Sequence, residues 1–222
     1  LVPVEDVFSD QESDAIDATI RQVLQGYRDT LNTDRRHLLD SYEYVRAARK
    51  VVGVGSAGTR AWVVLFTGRD EQDPFFLQVK EAQASVLEAF TGESEFATHG
   101  QRVVEGQRLM QAVGDIFLGH QRVTAPDGAV RDFYMRQLWD WKASADIETM
   151  APDALTVYAK ICGWTLARGH ARSGDRVAIA AYLGNSDAFD RAIADFAEAY
   201  AEQNEHDHKA LVDAIASGRV EA

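Results

Sequence analysis

The chain has 222 residues, 46% apolar and 26% charged, a composition that folds and is unlike that of a disordered polypeptide. Its 23 Lys+Arg against 35 Asp+Glu leave a net charge of -12, which argues against a nucleic-acid partner and against a polybasic membrane anchor. A single cysteine, Cys162, excludes disulfide frameworks and cysteine-based zinc sites and suits a reduced, cytoplasmic setting. No apolar run approaches the ~20 residues of a membrane span. The opening Leu1-Val2-Pro3-Val4 lacks a signal-peptide core and an initiator Met, so a piece of a longer protein is expected.

The first element is a helix over 9–31. Ser9 and Glu12 form a capping-box pair, and Ile16, Ile20, Val23, Leu24, Tyr27 and Leu31 recur at helical spacing. A shorter helical stretch follows over 33–42. Strand-favouring residues then run over 44–52, 59–66 and 75–80, the last with Leu77 and Val79 alternating with Gln78 and Lys80. Residues 100–113 return to helix. Two further strands, 115–123 and 131–138, flank the turn Ala125-Pro126-Asp127-Gly128. Beyond Trp141 the strand signals stop. Pro152 opens an amphipathic helix ending near His170, with Cys162 expected in its buried stripe, and Asp187 opens a long last helix. The division expected is a mixed part over 1–141 and a helical part over 142–222.

Gly53-x-Gly55-x-x-Gly58 is the most informative stretch, and two unrelated nucleotide sites share its spacing. In a dinucleotide fold the third glycine opens a helix; in a kinase fold the loop joins two antiparallel strands over the ATP phosphates. The residues after Gly58, TRAWVVLF, favour a strand, which puts the kinase geometry first. Glu81, at the distance of a ribose-binding acid, keeps the dinucleotide reading as an alternative. The kinase geometry also needs a lysine on the next strand and a helical glutamate to orient it. Lys80 is of the required type at the required place. Glu81, Glu88, Glu95 and Glu105 are candidates for the glutamate, and Glu105 is favoured because it sits mid-helix before the next hairpin. The plainer readings are a tight turn for the glycines and a solvated edge charge for Lys80.

Residues 48–60, 76–88, 99–112, 115–119, 131–138 and 158–175 together resemble the bacterial family catalogued as domain of unknown function 2252. The resemblance implies an α+β, protein-kinase-like fold, similar also to aminoglycoside phosphotransferases. In it an antiparallel sheet with a packed helix precedes an all-helical part. It further implies ATP and Mg²⁺, with Gly53, Gly55, Ser56 and Gly58 over the phosphates, Lys80 and Glu105 as a charge pair, and Gln137 and Leu138 at the adenine hinge. Longer members are expected to carry the metal-binding and catalytic-base motifs upstream, and this sequence shows neither. The expectation is therefore the nucleotide-binding portion of a phosphotransferase with an unknown phosphate acceptor, completed by an upstream half. A non-enzymatic nucleotide- or partner-binding module is the alternative.

Asp175 is the remaining catalytic candidate. It lies five residues after His170 rather than the two of a kinase catalytic loop, so a turn held by Asp175 is an equal reading. Trp139 and Trp141 fit either an adenine-side position or simple packing. His206 and His208 fall two apart on a helix and face opposite sides, so they cannot share a metal ion.

Overall fold

A computed structural model of the chain describes residues 2–3, 10–50, 58–125, 127–138 and 143–220, with side chains from Ala15 onward. The chain forms two compact units, Leu1–Ser173 and Gly174–Ala222. The boundary expected at 141 falls within 139–142, outside the described residues.

The first unit is mixed α+β. In chain order it holds β1 (Val2–Pro3), α1 (Asp10–Asp29), α2 (Thr33–Leu39), β2 (Glu43–Arg49), β3 (Ala61–Thr67), β4 (Pro74–Ala82), α3 (Glu88–Thr91), α4 (His99–Met110), β5 (Gly119–Thr124), β6 (Val130–Gln137) and α5 (Pro152–Ser173). The strands form one antiparallel sheet in the order β1-β2-β3-β4-β6-β5, with β1 a two-residue edge. β3 and β4 are β-branched and aromatic and lie at the centre, so both faces of β3 are buried. In β2, Tyr44 pairs with Phe66 and Arg46 with Leu65, so Val45 is the extra residue of a bulge.

The two faces of the sheet are covered differently. On one, Ile20, Val23 and Tyr27 of α1, with Leu31 just beyond its end, meet Trp62, Val64, Leu77, Val79, Phe133 and Met135 in the main core. The apolar period of α1 places those residues on one stripe, as the sequence pattern requires. Tyr27 is fully buried at the joint, and its Oη donates to the Phe117 carbonyl at 2.5 Å. Burial pushes its hydroxyl pKa far up, so it stays a donor. Gly119 makes this joint possible, because a Cβ there would lie 2.6 Å from the Tyr27 ring and from Thr30 Oγ1. Thr30 Oγ1 in turn accepts from the His120 amide at 3.2 Å.

The opposite face carries α4. Thr98 caps it by accepting from the Gln101 amide at 3.0 Å. The close approach again needs a glycine, since a Cβ on Gly100 would sit 2.4 Å from the Phe133 carbonyl oxygen. The amide of His99 donates to Asp132 Oδ2 at 2.8 Å, and Arg122 grips the same buried carboxylate through two bonds of 2.7 and 2.9 Å. Helix, β5 and β6 thus meet at one charge.

Three elements depart from the sequence pattern. The strand expected from 115 begins at Gly119, because Asp115 folds back to accept from the Phe117 amide at 2.8 Å and the Gln137 amide at 2.7 Å. The helix expected to reach 113 ends at Met110, with Gln111 extended. Cys162, expected in the core, is exposed, because α5 lays only part of its surface on α4. The second unit contains α6 (Arg176–Leu183) and α7 (Ala188–Ala216). Along α7, Phe189, Ile193, Phe196 and Tyr200 form an exposed apolar stripe. No described helix is long and apolar enough to cross a membrane.

Replacing Gly119 by Ala is expected to destabilise the first unit by about 1–3 kcal/mol, because the added methyl meets a ring that cannot move aside. Urea denaturation measures it; an unchanged midpoint contradicts the account of the α1–β5 joint.

Candidate functional site

β2 and β3 pair antiparallel on either side of 50–60, and the first element after Gly58 is the strand β3 rather than a helix. A dinucleotide site of the glycine-fingerprint type needs that helix, and Ala61–Thr67 is a strand. Gly53, Gly55 and Ser56 lie outside the described residues. Gly58 is described: its φ is +79°, and apart from its chain neighbours no described atom lies within 4 Å of where a Cβ would be.

Lys80 stands on β4 opposite Ala61 of β3 and Tyr134 of β6. Its neighbours Val79 and Glu81 point to the α1 face, so Lys80 points to the α4 face. Glu105 is on that same side of the sheet. Its ion pair is with Arg108, at 2.8 Å, and Arg108 also donates to the Leu118 carbonyl at 2.8 Å. Glu105 and Arg108 both act on the ring of His120, whose pKa is lowered by burial and then by Arg108. That places the Glu105–Arg108 pair over β5, with β6 between it and the strand of Lys80. Glu88 of α3 instead pairs with Arg102 at 3.8 Å. Glu81, on the α1 face, accepts from both the backbone and the guanidinium of Arg60 at 3.1 Å.

At the end of β6, the Gln137 amide donates to Asp115 Oδ2 at 2.7 Å and the Leu138 amide to the Phe76 carbonyl at 2.9 Å. Neither N–H is available to a purine ring. Trp139 and Trp141 lie outside the described residues. Asp175, in the second unit, caps α6: its Oδ1 accepts from the Val177 and Ala178 amides at 2.9 and 3.0 Å. Among the described residues there is no group of three or more His, Cys, Asp or Glu that could hold a metal ion.

The structure also contains a cleft that sequence reading missed. It has a volume of about 590 Å³ and lies between α1 and the sheet, on the face opposite Lys80. Ile16, Ile20 and Val23 form one wall, and Trp62, Val79 and Phe133 the other. Arg49, Arg60 and Arg131 stand at one end beside Gly58 and Asp127. The trace in the sequence is the period-two placement of Arg60 before Trp62 and of Arg131 before Phe133.

A family model with the description "Uncharacterized protein conserved in bacteria (DUF2252)" matches residues 4–214. The chain belongs to that family. No curated protein and no solved structure matches it.

Two substitutions test the electrostatics described here. Burial raises the Asp132 pKa, but Arg122 and the His99 amide outweigh it and hold the carboxylate below its usual range. Its contribution is therefore present above the ordinary carboxylate pKa and lost as pH falls through the lowered value. Asp132→Asn is expected to cost about 2 kcal/mol at pH 7 and to flatten the loss of stability as pH falls below roughly 4. Urea titrations across pH measure both. In the second unit, Asp175→Ala is expected to cost about 1 kcal/mol of helix stability, and Asp175→Asn close to nothing, because Asn also caps. Thermal melts monitored by helicity separate the two.

Proposed function

We propose that the chain is the nucleotide-cradling portion of a kinase-like phosphotransferase, taking ATP and serving a phosphate acceptor of a class still to be identified. The observation that carries the reading is an order of elements. A strand, a glycine-rich segment and an antiparallel strand are followed by a strand whose lysine faces the next helix, and then by a hairpin. Phosphoryl transfer in kinases uses that order to put backbone over the phosphates and a cation against them. In this reading Gly53, Gly55, Ser56 and Gly58 cover the phosphates, and Lys80 holds the α/β-phosphates.

In this reading Glu105, whose ion pair is with Arg108, would orient Lys80 only after leaving that partner. ATP brings Mg²⁺ with it, and the carboxylates that hold the ion would be contributed by polypeptide outside the described residues. The exposed apolar stripe of α7 and the exposed Ile161, Trp164 and Leu166 of α5 have the chemistry of surfaces made for another polypeptide. A second reading, a nucleotide- or partner-binding module without chemistry, is favoured by the committed amides of Gln137 and Leu138.

Calorimetric titration with ATP, with and without Mg²⁺, distinguishes these readings. The chain by itself is expected to bind ATP weakly and not to hydrolyse it. Lys80→Ala should weaken binding about tenfold, the loss of one charge-assisted contact worth ~1.4 kcal/mol. ATP binding that ignores Lys80→Ala sinks the cradle, and Mg²⁺-dependent turnover by the chain alone sinks the assignment of the metal carboxylates elsewhere.

A further inference from the structure

The cleft under α1 lies on the other face of the sheet from Lys80, and of its lining residues the nucleotide reading uses only Gly58. Close-packed interiors tolerate few voids larger than a water molecule. A space of about 590 Å³ between a helix and a sheet is in the size range of small-molecule sites. Its origin is visible in the packing. The C-terminal half of α1 is drawn against β5 where Tyr27 and Thr30 close on Gly119. The cleft lies under the preceding turns, from Ala15 to Val23. Its walls are the aliphatic side of the helix and the aromatic side of the sheet, so an apolar body would regain the dispersion contacts that the gap forfeits.

The charges at the end of the cleft define the rest of the ligand. Arg60 meets Glu81 at 3.1 Å; Arg131 meets Glu81 at 3.9 Å and Asp127 at 2.5 Å. Two guanidiniums are thus matched by two carboxylates. Arg49, brought opposite Trp62 by the pairing of β2 with β3, has no acidic partner among the described residues. A guanidinium unmatched among the described residues, beside an apolar cleft, suits a single carboxylate, which it can hold through two parallel bonds.

We propose that this cleft binds a long-chain monocarboxylate, its carboxylate on Arg49 and its chain between α1 and the sheet. The probe is dodecanoate below its micellar concentration, titrated calorimetrically into the intact chain, with 1-dodecanol as the neutral comparison. One saturable site is expected, at least tenfold tighter for dodecanoate than for the alcohol. Arg49→Ala should erase that preference. Thr19→Trp fills the cleft without touching the charges and should abolish binding of both; Ala15→Trp, on the exposed edge of the helix, serves if the first variant does not fold by circular dichroism.

Three results overturn the proposal: equal binding of acid and alcohol by the unmodified chain, a preference that survives Arg49→Ala, or binding that survives the filled cleft. The last would reveal adsorption to the exposed apolar helices. None of these depends on ATP, so the carboxylate site and the nucleotide reading fail independently.

Discussion

The first unit depends on how closely α1 can approach β5. A helix and a sheet normally stand apart by the length of the side chains between them. Here Gly119 removes one side chain at the point where Tyr27 enters. The buried ring then reaches the Phe117 carbonyl, which no water could satisfy at that depth. Because Thr30 ties the same turn of helix to the His120 amide, the joint fixes the position of α1 as well as its distance. The core residues that follow the helix period fall into place on the sheet only with that anchor set.

On the other face the constraint is charge rather than shape. Asp132 is buried, and it is tolerable there because Arg122 and the His99 amide leave it no unsatisfied oxygen. The same carboxylate sets where α4 begins and lies across two strands. Glu105, a turn and a half further along, is consequently carried over β5 and toward Arg108. The position of that glutamate is thus decided by Asp132, far from it in sequence, and by Gly100 at the start of its own helix.

Much of this was legible in the sequence where the signal is local. The alternation in β4, the turn at Asp127-Gly128 and the apolar period of α1 depend on neighbours within a few residues, and each element formed as expected. Boundaries set by a long-range bond were not legible. β5 starts late because Asp115 bonds to Gln137, twenty-two positions away. At the candidate site, the facing of Lys80 followed from strand period alone, whereas the partner of Glu105 depended on which strand lies beneath the helix. Asp175 is a case in which a residue type fits two roles. An aspartate before a helix is a cap by default, and the amides of Val177 and Ala178 take its oxygen. The cleft was invisible because it is made by a helix and four strands that are distant in the chain.

The bulge at Val45 determines which face of the sheet Arg49 occupies. Before it, Tyr44 pairs with Phe66 and faces α1; after it, Arg49 pairs with Trp62 and again faces α1. Five positions separate Tyr44 from Arg49, an odd number, and on an unbroken strand an odd step ends on the opposite face. Val45 corrects the parity. On an unbulged strand that kept Val45, Arg49 would join the face of Lys80 and Arg46 would take the α1 face in its place. The bulge therefore decides which arginine of β2 stands on the α1 side of the sheet. In a relative of this chain, the register of β2 on β3 would say more about which face carries the arginine than the presence of the arginine itself.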